Sequence, residues 1–220
     1  MRQHITFLHT SPVHVETFGR LVSAANPTLR VEHVVAEELL AEAQRVGADD
    51  RALIERVHNA MINAASTGAA IVVCTCSTIG GAAEKTQTDG HFKAARIDRA
   101  MADRAVQLGP KILIVVALES TLKPTTGLIQ ESAAALHLPV QIESLVVEGA
   151  WSHFQRGDRN AYLGAVAAAV RAASKRADVV VLAQASMAPA TEMLQDVDIE
   201  VLASPVLGVQ AALGYLQNGR

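Results

Sequence analysis

DDRALIERVHNAMINAASTGAAIVVCTCSTI, residues 49–79, lies without a gap over GDRNAYLGAVAAAVRAASKRADVVVLAQASM, residues 157–187, at a constant offset of 108 residues. Asp50/Asp158, Arg51/Arg159, Ala64/Ala172, Ala65/Ala173, Ser66/Ser174, Val72/Val180 and Val73/Val181 are identical. Alanine is the best helix former and recurs for that reason alone, so the shared order of cap, helix, turn and strand weighs more than the identities. In the first copy Asp49-Asp50 can cap a helix whose Leu53, Val57, Ala60, Met61 and Ala64 share one face, and Gly68 ends it. The chain therefore reads as two similar α/β lobes, residues 1–98 completed by 204–220, and residues 99–203. The repeat sets Cys76 of one lobe against Gln184 of the other.

Outward from the repeat, short apolar β-branched runs alternate with alanine-rich stretches. The pattern predicts strands at Ile5–Leu8, Val31–Val35, Ala69–Cys74, Lys111–Leu118, Val140–Val147, Asp178–Ala183 and Ile199–Leu202. Pro12 after Ser11 suits the first position of a helix behind an N-cap. Arg96–Gln107, with Ile97, Met101 and Val106, predicts a helix stopped by Gly109-Pro110, and Arg96 with Asp98 reads as an exposed ion pair at its start. Such alternation implies parallel sheets covered by helices on both faces. A hydroxyl pair follows the first strand of each lobe, in Leu8-His9-Thr10-Ser11-Pro12 and in Leu118-Glu119-Ser120-Thr121. Lobes related by a pseudo-twofold would turn the carboxyl ends of their strands toward a shared cleft, where ligands of such folds bind.

Composition narrows the partners. Half the residues are hydrophobic, 19% are charged, and the net charge is −3. No block of Lys or Arg offers a footprint for nucleic acid or an anionic membrane. With aromatic residues at only 3%, the rings on which stacked bases or large aromatic ligands rest are scarce, so a small aliphatic ligand fits better. The N-terminus shows no signal-peptide pattern and no apolar run approaches a membrane span, which points to the cytoplasm. Pairing into a homo-oligomer suits a chain of this size, although the sequence marks no interface. The two cysteines, Cys74 and Cys76, are too close for a disulfide and too few for a zinc site, and are expected as reduced thiols.

Ile71–Gly81 reads as a buried strand, a polar turn and a helix start loosened by glycine. Cys74 lies in the apolar run, where a cysteine is a small buried hydrophobe. Cys76 lies in the turn, where backbone N–H groups and a helix N-terminus can lower a thiol pKa from about 8.5 toward neutrality. Ser77 and Thr78 with the same N–H groups can hold a carboxylate, as can Thr10, Ser11, Thr121 and Ser186 elsewhere. Fingerprints for dinucleotides, for a P-loop and for the serine-hydrolase elbow are absent, and no cofactor or metal is expected.

CTCSTIG at residues 74–80, HTSP at 9–12, RIDRAMA at 96–102, TLKPT at 121–125, VLAQASM at 181–187 and Ser204-Pro205 together resemble the aspartate/glutamate racemase superfamily. That group includes aspartate, glutamate and hydantoin racemases, maleate isomerase and arylmalonate decarboxylase. The resemblance spans nearly the whole chain and implies two flavodoxin-like lobes with the active site between them. It also implies cofactor-independent chemistry at a carbon next to a carboxylate. Its racemases place one cysteine from each lobe on opposite faces of the substrate carbon. Cys76 matches the first of these, the second falls at Gln184, and no cysteine follows Cys76. An amide neither gives up nor takes a proton usefully near neutral pH, so two-thiol racemisation is not expected.

Either another group supplies the second proton or the reaction needs one face only. His9, at a strand end and titrating near neutrality, is the first candidate for that group, and His153 the second. His14, His33, His58 and His137 read as surface residues. Gln184 can donate hydrogen bonds to a carboxylate or to a developing enolate oxygen. The leading expectation is an isomerase-type enzyme acting on a small amino or dicarboxylic acid with Cys76 on one face. The alternatives are a one-sided decarboxylase or lyase on a malonate-like or maleate-like acid, and a non-catalytic protein that binds such acids.

Overall fold

Asp50 and Asp158 turn the repeat into geometry. Each carboxylate accepts a hydrogen bond from the backbone N–H three residues on, Leu53 in one copy and Ala161 in the other, both at 3.0 Å. One of the donors that every helix start leaves bare is thereby satisfied. Each helix runs 15 residues, Arg51–Ala65 and Arg159–Ala173, and leads to a four-residue strand buried along its length, Ile71–Cys74 and Val179–Leu182.

The structure is a computed structural model and describes residues 4–218. Its elements form two compact units: one takes the described residues up to Asp98 and from Pro205 on, the other Arg99–Ser204. The first unit contains β1 (His4–His9), α1 (Val13–Ala25), β2 (Arg30–Val35), α2 (Glu37–Val46), α3 (Arg51–Ala65), β3 (Ile71–Cys74), the short α4 (Gly80–Glu84) and β4 (Lys93–Arg96). The second contains α5 (Arg99–Leu108), β5 (Lys111–Val116), α6 (Leu122–Leu136), β6 (Gln141–Val146), α7 (Ala150–Gln155), α8 (Arg159–Ala173), β7 (Val179–Leu182) and β8 (Glu200–Ala203). Then α9 (Ser204–Asn218) returns the chain to the first unit. The sheets are parallel throughout, in the orders β2-β1-β3-β4 and β6-β5-β7-β8.

The central strands are apolar nearly end to end because helices cover both of their faces. On one face of the first sheet Leu8, Val72 and Cys74 pack with Leu39 and Ala43 of α2 and with Leu53, Val57, Met61 and Ala64 of α3. Each large side chain buried in this way contributes roughly 1.5–3 kcal/mol. The second unit repeats the arrangement with Val115, Val180 and Leu182 against Tyr162, Val166 and Val170 of α8.

Three local expectations are corrected. Strand β4 was not expected, because Lys93-Ala-Ala-Arg96 has no β-branched or aromatic residue. It pairs with β3 from Ile71↔Lys93 to Cys74↔Arg96, so the following helix begins at Arg99 and not at Arg96. Ile97, expected on that helix, instead donates its N–H to the Cys74 carbonyl at 2.9 Å. A Cβ at Gly208 of α9 would collide with the Ile97 carbonyl oxygen, so glycine lets α9 close on the end of β4. At α1 the N-cap is Pro12 itself, and no side chain caps the helix.

The hydroxyl pairs are also not equivalent. Thr75 N–H donates to Leu8 O and Ala183 N–H to Val115 O, at 2.9 and 3.0 Å, which makes Leu8 the counterpart of Val115. Thr10-Ser11 then corresponds to Ala117-Leu118, and Ser120-Thr121 lies farther on, in a 3-10 turn.

Because the two caps are alike, Asp50→Ala and Asp158→Ala should each lower stability by about 1 kcal/mol. Urea unfolding should show a lower midpoint at an unchanged m-value, and Asp→Asn at either site should recover most of the loss.

Candidate functional site

The turn that carries Cys76 begins where β3 ends. Cys74, the last strand residue, is fully buried, and burial together with the neighbouring Cys76 pushes its thiol pKa up. Its S–H donates to the Cys76 carbonyl at 3.7 Å. Cys76 itself is half-buried. The expected helix N-terminus does not abut it: residues 77–79 form a turn, the N-cap is Ile79, and α4 has only five residues. A dipole that fades within one turn of so short a helix adds little at Cys76.

Behind the turn lies the pair expected on the surface. Arg96 Nε donates to Asp98 Oδ1 at 2.6 Å and Arg96 Nη2 to Asp98 Oδ2 at 3.0 Å. The two side chains are 3% and 0% exposed, which overturns the exposed ion pair read from the sequence. Strand β4 is the reason, since it carries Arg96 into the sheet rather than onto a helix start. Arg96 Nη2 also reaches the Ser77 carbonyl, at 3.4 Å. A Cβ at Gly80 would stand 3.0 Å from Arg96 Nε, so the glycine makes room for the guanidinium.

Beside the turn is a histidine cluster. His9 ends β1 fully buried, with Nδ1 2.8 Å from Thr75 Oγ1 and Nε2 2.9 Å from His33 Nδ1. The His9 and His33 rings stack at 5.2 Å, and Phe7, Phe18 and His14 complete the cluster. His14 and His33, expected at the surface, are half-buried here. Burial lowers His9 to about 3 and His14 to about 4, and it lowers His33 as well; the neighbouring His33 and His14 depress His9 further. Sequence reasoning missed Thr75, His33 and the buried pair as parts of this region. The period-two placement of Phe7 and His9 on one face of β1 was the available clue, but only the register Phe7↔His33 brings the rings together.

Of the proposed carboxylate-holding residues, Thr10, Ser77 and Thr78 are buried around this end of the first sheet, and Ser11 is half-buried. In the second unit Gln184 stands at the end of β7 in the place equivalent to Cys76. Its Oε1 accepts from the Ala117 N–H at 3.0 Å and its Nε2 donates to Thr121 Oγ1 at 3.5 Å. Thr121 is buried. Ser186 bonds the Tyr162 hydroxyl at 2.8 Å, and burial pushes that phenol up to about 12. His153, on α7 and in contact with solvent, lies 3.2 Å from a guanidinium nitrogen of Arg156, the residue that ends the helix. A cavity of about 420 Å³ in the second unit opens at the opposite ends of the strands, by Lys111, Gln141 and Lys175. Ligands of such sheets gather at the carboxyl ends instead. Among the described residues no group of three or more His, Cys, Asp or Glu could hold a metal ion, and no helix is long and apolar enough to cross a membrane.

Two predictions follow from the buried polar groups. Asp98→Ala strands a guanidinium without its carboxylate and should lower stability by about 3–5 kcal/mol in urea unfolding, whereas replacing both partners by apolar residues should cost far less. For the histidines, folded pKa values below the ordinary 6.5 mean that the unfolded chain binds more protons. Stability is therefore full above pH 6.5 and falls as the pH drops toward 4, by ~1.4 kcal/mol per pH unit for each withheld proton. Urea midpoints between pH 7.5 and 4.5 should trace this slope, and His14→Phe should flatten it.

No protein-family model matches the sequence, and no curated protein matches it either. Solved structures do match. The aspartate racemase of Picrophilus torridus superposes with a TM-score of 0.69 at 13% identity, over 96% of this chain and 94% of the other. The allantoin racemase of Pseudomonas fluorescens gives 0.67 at 17% identity, over 99% and 92%. The glutamate racemase of Francisella tularensis, solved with D-glutamate, gives 0.72 at 13% identity, over 99% and 82%. At such identities the likeness is one of fold. With its two four-stranded parallel sheets and their helices, the chain shares the α/β fold of these solved aspartate, allantoin and glutamate racemases.

Proposed function

We propose that the protein is a cofactor-independent enzyme that acts at the carbon next to a carboxylate of a small amino or dicarboxylic acid, with Cys76 as its single thiol. The observation that carries this reading is the asymmetry of two equivalent turns. One presents a half-buried cysteine and the other an amide bonded to Ala117 and Thr121. Fold alone assigns no chemistry, so the reading rests on that turn and on its resemblance to the racemase motif. Aspartate, glutamate and allantoin racemases sharing the fold support a racemase-type or isomerase-type reaction on a small acid. In this reading Cys76 moves a proton on one face of the carbon or attacks it. Thr10, Ser11, Ser77 and Thr78, which stand at the same end of the first sheet as Cys76, hold the carboxylate oxygens. Gln184, in the turn equivalent to that of Cys76, is an amide and cannot exchange a proton. The product is accordingly made with one hand, by isomerisation or by decarboxylation.

Incubation with small amino acids, malonates and maleate in deuterated water, followed by proton NMR and chiral chromatography, tests this directly. A single-handed deuterated product that disappears with Cys76→Ser is the expected result. Equal deuterium wash-in to both enantiomers would require a second proton donor and overturn the one-sided reading. Binding of an acid that survives Cys76→Ser, with no turnover by either protein, would make the protein a binder.

A further inference from the structure

We propose that the side-chain chain His33–His9–Thr75 is a positioning device for the Cys76 thiol; the inference rests on the reading of Cys76 as the reacting group. Thr75 is the residue between the two cysteines, and both its backbone and its side chain are tied to β1. Its N–H donates to Leu8 O at 2.9 Å, and its Oγ1 lies 2.8 Å from His9 Nδ1 and 3.3 Å from Leu8 O. The far nitrogen of His9 meets His33 on β2 at 2.9 Å. The carboxyl ends of β3 and β1 are thus joined to His33 of β2 by one line of polar atoms.

Proton count makes the line directional. A hydroxyl has one hydrogen, and when Thr75 gives it to Leu8 O, His9 Nδ1 must carry the hydrogen of the 2.8 Å bond. His9 Nε2 is then an acceptor and His33 Nδ1 its donor. Both rings are neutral and their tautomers are fixed together. With both nitrogens engaged and the ring fully buried, His9 acts on the site through Thr75 and not on a substrate.

The second unit provides the control. The strand registers make Val116, Ser144 and Ala183 the counterparts of His9, His33 and Thr75. That unit forms the same sheet with neither histidine nor the threonine, only the exposed Ser144 being polar among the three, and its turn carries Gln184 instead of a thiol. The polar line therefore goes with the cysteine and not with the fold. The carbonyl of Cys76 is also held, by the Cys74 S–H, so the turn is tethered on both sides of the thiol's own Cα.

Thr75→Val keeps the shape of the side chain and removes the bond to His9. The measurements are the alkylation rate of Cys76 by iodoacetamide, followed by peptide mass spectrometry on the native protein, and kcat and KM for an acid that turns over. Thr75→Val should change the alkylation rate and lower kcat by ~100-fold with KM little altered, the scale of a misplaced reacting group. Thr75→Ser should restore both. His33→Asn, at the outer end of the line, should shift them in the same direction by less, and serves as the test if Thr75→Val does not fold. A folded Thr75→Val, or in its place a folded His33→Asn, that alkylates at the wild-type rate would overturn the positioning role. If no acid turns over with any protein, yet the alkylation rate still responds to Thr75→Val and recovers in Thr75→Ser, the positioning role stands and the enzymatic reading fails.

Discussion

A bidentate arginine–carboxylate pair inside the first unit fixes the turn on which everything proposed for this protein depends. Removing Arg96 and Asp98 from water costs several kcal/mol per ion before their attraction is counted. Good geometry and further partners are needed to offset that cost. The fold supplies both: two parallel N–H···O bonds at 2.6 and 3.0 Å, and a contact from the guanidinium to the Ser77 carbonyl. The same guanidinium fills the space in which a side chain at Gly80 would stand. The CTCSTIG turn is therefore moulded over a rigid charged plate, and its path is set from below before any ligand is considered.

The second unit shows what happens without that plate. The registers Cys74↔Arg96 and Leu182↔Ala203 make Ala203 the counterpart of Arg96. Two residues on, where the chain rejoins the first unit, Pro205 takes the place of Asp98, and at the offset of the repeat Ala188 takes that of Gly80. Arginine, aspartate and glycine are absent together, as their mutual dependence requires. The loop there runs as a 3-10 helix from Ala185 to Leu194, where the first unit has its tight turn and five-residue helix. One chain thus contains two solutions to the same strand–turn problem, and the more polar one bears the thiol.

The architecture was legible because it depends on local signals. The aspartate caps, the amphipathic face of α3 and the apolar runs of the central strands each occupy a few neighbouring residues, and the gapless offset doubles each of them. The surroundings of Cys76 were not legible, because they depend on register. Once Lys93-Ala-Ala-Arg96 is taken for the approach to a helix, Arg96 and Asp98 fall on an exposed helix start and their burial is lost from view. His33 looks like a solvated residue on an edge strand until the pairing Phe7↔His33 places it beside His9. A shift of one residue would send that ring to the other face of the sheet. The two hydroxyl pairs misled for the same reason, since resemblance along the chain carried no information about which strand positions align.

The cost of this local polarity says something about its purpose. Apolar replacements of a buried ion pair are often neutral or stabilising, and the second unit demonstrates that the sheet forms without one. Two neutral histidines and a threonine hydroxyl stand where the second unit places Val116, the exposed Ser144 and Ala183, and so put more buried polarity into the first unit. Each group restricts direction as well as occupying space: a hydrogen bond specifies an angle, which a methyl contact does not. The first unit surrenders stability, above all at acid pH, for a turn held from beneath by Arg96 and from the side by His9. Such an exchange suits the role proposed for Cys76, a thiol working on one face of its substrate, because the equivalent turn carries Gln184 and no second thiol.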